Sequence, residues 1–103
     1  MHVISKKPFD DACKAFPNQA DAIARTYKAL RAGDFDTPTQ LRCAFPSLDN
    51  FRYRDKWWVI DIGGNTLRMI SFIAFRDNRM YVKHIVPHGE YDKLCNRYRQ
   101  ERE

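Results

Sequence analysis

The sequence predicts an α+β domain: a small antiparallel sheet with two N-terminal helices packed on it and a short C-terminal helix. Two observations carry this. Between Trp57 and Asp92, three apolar runs rich in β-branched and aromatic residues are separated by two turn signals. Ahead of them, two stretches place apolar residues at helical spacing. Val59 to Ile62 stops at Gly63-Gly64-Asn65, which tolerate positive φ and so close a hairpin. Leu67 to Phe75 stops at Asp77-Asn78, a second hairpin signal, and Arg79 to Val86 is the third strand before Pro87. These runs read as a three-stranded antiparallel meander.

Met1 to Ser5 alternates and reads as a further short strand. Pro8 suits the first turn of a helix, and Phe9, Ala12, Cys13 and Phe16 form one apolar face. Pro17 ends that helix. Asn18 is the expected cap of a second helix, with Ile23, Tyr27 and Leu30 inward and Gly33 as its stop. Arg25, Lys28 and Arg31 share an exposed rim, either a solvated face or a polyanion contact. Thr37-Pro38 opens a short helix with Leu41, Ala44 and Phe45 inward, and Phe45 to Asn50 reads as a turn. Leu94, Cys95 and Tyr98 hold the C-terminal helix to the body, and the charged tail beyond is expected to fray.

The 103 residues suit one domain, 1–103, with no repeats or linkers. A hydrophobic fraction of 44% excludes wholesale disorder. No apolar run reaches the roughly 20 residues of a membrane helix, and the N-terminus lacks a signal-peptide core. Cys13, Cys43 and Cys95 are odd in number and lack metal-type spacing, which suits reduced thiols in the cytoplasm. His84 and His88 are four apart, but His84 falls in a strand and Pro87 intervenes, so no metal site is expected. The Gly63-Gly64 pair is a hairpin turn rather than a phosphate cradle, and no cofactor is expected.

The net charge of +5 favours a polyanionic or acidic partner. Arg52, Arg54 and Lys56 alternate with Phe51, Tyr53, Asp55 and Trp57. This pattern suits RNA, where guanidinium and aromatic planes stack on splayed bases. It equally suits an edge strand whose cations block aggregation. The polar groups near the strand ends are Arg68, Lys83, His88, Glu90 and Tyr91. RNA cleavage by its own 2′-OH needs a proton acceptor, a cation for the charged phosphorane and an acid for the leaving oxygen. His88 can serve either proton role, Arg68 offers a fork for phosphate, Lys83 adds charge, and Tyr91 can hold phosphate or stack a base. The bland alternatives are a solvent-exposed turn histidine for His88 and an ion pair with Glu90 or Asp61 for Arg68.

The run FPSLDNFRYRDKWWVIDIGGNTLR, followed by HGEYDKL, resembles the HigB-type toxins of bacterial toxin–antitoxin modules. Gly64 to Arg68 and His88 to Asp92 are its specific parts, and the likeness extends over nearly the whole chain. The resemblance implies a RelE-like fold and an endoribonuclease, an mRNA interferase that cuts messages on the ribosome and inhibits translation. It also implies neutralisation by a cognate helix-turn-helix (HigA-type) antitoxin, with operator DNA bound only through the toxin–antitoxin complex. Arg68, His88 and Tyr91 match its motif positions, whereas Lys83 enters on charge and placement. Arg52, Arg54, Lys56 and Trp57 are the expected RNA contacts. The alternatives are a basic RNA- or ribosome-binding module without catalysis, and a protein whose basic helix face docks an acidic partner.

Overall fold

The computed structural model describes residues 1–101. Five strands form one sheet in the order β1-β5-β4-β3-β2: β1 (His2–Val3), β2 (Asp49–Asn50), β3 (Trp57–Ile62), β4 (Leu67–Ala74) and β5 (Arg79–Pro87). The expected meander is β3-β4-β5, antiparallel throughout. Gly63 and Gly64 turn it with φ of +63° and +69°. The second turn is a single 3-10 turn, Phe75–Asp77, that ends on left-handed Asn78. β1 adds to the outside of β5 in parallel, so the complete sheet is mixed. The amino group of Met1 is buried against the carbonyls of Leu30 and Gly33, which fixes where β1 starts.

Helices α1 (Lys7–Ala15) and α2 (Ala20–Ala32) cover one face. A 3-10 turn, Pro17–Gln19, joins them, so Asn18 lies inside that turn and Gln19 precedes α2 without a side-chain cap. Phe9, Ile23 and Leu30 meet Ile60, Ile62, Leu67, Met69 and Met80 in the larger core. The short helix α3 (Pro38–Ala44) is capped by the Thr37 hydroxyl, which accepts from Gln40 N at 3.2 Å. It buries Leu41, while Ala44 is exposed rather than inward.

The other face carries α4 (His88–Glu101). This helix starts at His88, earlier than the apolar residues alone suggest. It stays helical to Glu101, which pairs with Arg97 at 3.0 Å, so the expected fraying does not begin at Tyr98. Arg102 and Glu103, the end of that tail, lie outside the described residues. Tyr98, Phe51, Val59 and Ile70 form the second core, flanked by Tyr91, Leu94 and Cys95. The sheet is therefore packed on both sides, and α4 decides how much of its second face stays open. No helix among the described residues is long and apolar enough to cross a membrane.

Gly33 has an ordinary φ of −86°, so its conformation does not demand glycine. Its space does, because a Cβ there would collide with the buried Phe35 ring. Gly33→Ala is expected to cost about 1–3 kcal/mol by overpacking. A thermal melt indistinguishable from wild type would show that the ring can move aside.

Candidate functional site

Alternation along the meander sends Trp57, Phe72 and Tyr81 to the α4 side in one cross-strand row, since Trp57 pairs with Phe72 and Phe72 with Tyr81. α4 leaves that row uncovered at its outer end. Arg52, Lys56, Arg76 and Arg79 stand beside it, and together they line a groove of about 990 Å³. The sheet is irregular at one point: Ile70 pairs with His84 and Ser71 with Val82, leaving Lys83 as an extra residue. Such a bulge puts neighbouring side chains on one face. Lys83 Nζ accordingly lies 5.8 Å from the Trp57 ring centre, while His84 Nε2 is 2.8 Å from the Tyr98 hydroxyl.

The segment Arg52 to Lys56 is a succession of turns, not the edge strand its alternation also allowed. Arg54 N donates to Phe51 O, and Lys56 takes a φ of +64° to send the chain into β3. Arg52, Lys56 and Trp57 line the groove. Arg54 also borders it, but its guanidinium donates to Tyr53 O at 2.8 Å and Tyr98 O at 3.4 Å and stacks on the Tyr98 ring at 4.7 Å. That residue ties the turn to α4.

Four residues along β4 from Phe72, about 13 Å at ~3.3 Å per residue, lies Arg68. It pairs across the sheet with Asp61, and its Nε is 3.7 Å from Asp61 Oδ1. Its guanidinium sits 4.7 Å from the centre of the Tyr91 ring on the first turns of α4. The buried Nε has no hydrogen-bond partner, so a cationic donor is held in place with capacity left over. Burial, then the neighbouring Cys95 thiol, push the Tyr91 hydroxyl up to about 12 against the opposing pull of Arg68. It stays protonated at neutral pH, a donor rather than a base.

Arg68 and Tyr91 are thus brought together, as are Lys83 and Trp57. His88 is exposed at the start of α4, and among the described residues it has no hydrogen-bond or ion-pair partner. It is a helix residue, as is Tyr91, so the three motif residues do not all sit on strand ends. Glu90 pairs with Lys93 at 3.5 Å, which leaves Asp61 as the partner of Arg68. Phe72, Tyr81, Arg76 and Arg79 were not anticipated, although counting outward from the Gly63-Gly64 turn would have aligned Phe72 with Trp57. Among the described residues no three His, Cys, Asp or Glu side chains converge as a metal ligand set.

Residues 19–94 match the family described as HigB toxin, the RelE-like toxic component of a toxin–antitoxin system. The chain belongs to the HigB toxin family. It is 50% identical over 103 residues, the whole of both chains, to the mRNA interferase HigB of Escherichia coli O6:H1. It is 36% identical over 92 residues to the mRNA interferase toxin HigB of Escherichia coli K12 and to the mRNA interferase HigB of Shigella flexneri, covering 89% of this chain and 88% of each relative. The resemblance read from Gly64–Arg68 and His88–Asp92 is borne out, and both motifs lie within the matched span.

The His84–Tyr98 pair gives this toxin a pH-dependent brace. Burial, then the Arg97 and Lys83 cations, lower the His84 pKa from 6.5 and keep the imidazole neutral. Below that value the unfolded chain takes up a proton that the folded chain resists, so stability present above pH 6.5 is lost as pH falls through the lower folded pKa. His84→Gln should therefore lose less stability than wild type between neutral and mildly acidic pH. Urea midpoints across that range check it, and parallel losses in the two proteins would refute it.

Proposed function

We propose that this toxin is an mRNA-cleaving endoribonuclease acting on messages engaged with the ribosome. The observation that carries this reading is the Trp57–Phe72–Tyr81 row, open to solvent and walled by Arg52, Lys56, Arg76 and Arg79. Aromatic planes hold bases irrespective of sequence, while the cations follow the phosphates. The names of the relatives at 50% and 36% identity support the same reading.

On this reading the 2′-OH of the message attacks the adjacent phosphorus and loses its proton. The bond from phosphorus to the 5′-oxygen breaks and that oxygen takes up a proton, leaving a 2′,3′-cyclic phosphate and a 5′-OH end. The chain supplies charge and proton transfer. Arg68 and Lys83 stabilise the phosphorane. The Tyr91 hydroxyl, which retains its proton, donates to a phosphate oxygen. His88 provides an imidazole at the exposed start of α4 for proton transfer. A cognate HigA-type helix-turn-helix antitoxin neutralises the toxin, operator DNA is touched only by the complex of the two, and the work is done in the cytoplasm where messages are translated. A non-catalytic RNA- or ribosome-binding module is favoured by one observation: Lys83 lies by the aromatic row, whereas Arg68 is four residues away along β4, so the two cations do not converge on one point.

Induced expression with growth measurement and primer extension on a reporter message separates the two. Wild type should arrest growth and leave discrete message ends, with both effects lost in His88→Ala. A soluble, antitoxin-free wild type that neither slows growth nor cuts messages would put the binding module ahead of the nuclease. Cuts that persist in His88→Ala would keep the nuclease and move proton transfer to another group.

A further inference from the structure

β5 is covered on only part of its outer side. β1 pairs with Arg79 and Met80 alone, and Ile4 N makes the last bond of that ladder, to Met80 O at 3.0 Å. The chain then turns away through Ser5 into α1. From Tyr81 to Pro87, among the described residues, no strand pairs with β5 on the side away from β4. Peptide groups on such an edge are hydrogen-bonding sites waiting for a strand. Beside the edge runs a second groove of about 590 Å³, with Ala12 and Ala15 of α1 and the following Phe16 on one wall and Lys83 to Val86 on the other. Ile4, 40% exposed, stands where β1 breaks off, and it is the large hydrophobic side chain that the described residues leave in solvent.

Charge selects the occupant. From Tyr81 to Pro87 the strand reads YVKHIVP, with one cation and no carboxylate, on a chain of net charge +5. On the facing helix the groove-lining Asp11 is already paired with Lys7 at 2.9 Å. A second copy of the same edge would set Lys83 against its own kind. An acidic strand with alternating apolar residues meets no such repulsion.

We propose that the outer edge of β5 from Tyr81 to Pro87 is a strand-addition site for an extended, acidic segment of the antitoxin. Main-chain hydrogen bonds to β5 give affinity, and the apolar side chains of the added strand enter the α1 groove and cover Ile4. The segment would continue the line that β1 begins. The site begins at Tyr81, the edge member of the aromatic row, and continues along β5 beyond the residues that line the RNA groove, so a bound antitoxin need not fill that groove to be held. The inference rests on the antitoxin of the preceding reading but not on message cleavage.

Amide hydrogen exchange of the toxin, alone and in complex with the antitoxin encoded beside it, tests this. Exchange of the amides between Tyr81 and Val86 that point away from β4 should slow at least tenfold in the complex. The double variant Ile4→Asp, Ala15→Glu alters two exposed positions and should keep the wild-type melt, yet bind the antitoxin at least tenfold more weakly by calorimetric titration. A complex that leaves β5 unprotected and binds the double variant normally would overturn the docking site alone. Absence of any complex would overturn the antitoxin reading with it. Protection of β5 in free toxin that grows with toxin concentration would assign the edge to a second copy and also overturn the proposal.

Discussion

Replacing Arg68 with alanine is expected to lower message cleavage about 10²- to 10³-fold, the scale of one preorganised donor aimed at developing charge. RNA affinity should fall by less than about tenfold, because one cation among many contributes little to ground-state binding. The asymmetry follows from how the guanidinium is held. Asp61 on β3 and the Tyr91 ring on α4 fix its plane, and its Nε lacks a hydrogen-bond acceptor. Such a group need not reorganise when the phosphorane forms. Arg68→Lys keeps the charge but loses the flat fork over Tyr91, so it should recover binding fully and cleavage only in part. Filter binding and single-turnover cleavage of one RNA, measured on all three proteins, check this. Equal losses of binding and cleavage in Arg68→Ala would make it an ordinary phosphate contact.

Truncating Tyr98 to alanine should produce the largest loss of stability, about 3–5 kcal/mol. The ring is 9% exposed. It packs edge-on against Phe51 at 5.5 Å and Trp57 at 5.4 Å, and its hydroxyl meets His84. Arg54 stacks on it, so the same side chain holds α4, the Arg52–Lys56 turns and the bulged part of β5 in one arrangement. Tyr98→Phe keeps the packing and loses only the His84 bond, about 1 kcal/mol. At about 4–8 °C per kcal/mol for a domain of this size, the melts of the two variants should lie well apart. Coincident melts would show that the His84 bond, not the aromatic packing, secures α4.

The meander and both N-terminal helices were legible because their signals are local. Gly63-Gly64 and Asn78 each supply a left-handed turn residue, and Ile23 and Leu30 keep helical spacing. Two elements were obscured where local signals conflict. His88-Gly89-Glu90-Tyr91-Asp92 follows a strand and contains a glycine, a poor helix former, which masks the helix-favouring acidic residue in the first turn of α4. The alternation of Arg52 to Trp57 has the period of a strand, but the bonds from Arg54 N to Phe51 O and from Trp57 N to Arg54 O curl it into turns.

The candidate site was legible in residue type and less so in arrangement. Arg68 and Tyr91 meet because β4 and α4 share one sheet face, which the motif spacing alone does not reveal. The bulge at Lys83 depends on how β5 registers against β4 and leaves no mark in MYVKHIV. Without it, His84 and Lys83 would face opposite sides. The His84–Tyr98 bond, fourteen residues apart in sequence, follows from that irregularity. Edge exposure along β5 is likewise a property of topology, since it depends on β1 stopping at Val3.

The most direct test of the account is primer extension on one message, free and in a translating extract, with purified antitoxin-free wild type and Arg68→Ala. Wild type should leave discrete 5′ ends in the translated message and far fewer on the free message, and Arg68→Ala should leave almost none. Intact messages with folded wild type, or undiminished cutting by Arg68→Ala, would contradict it.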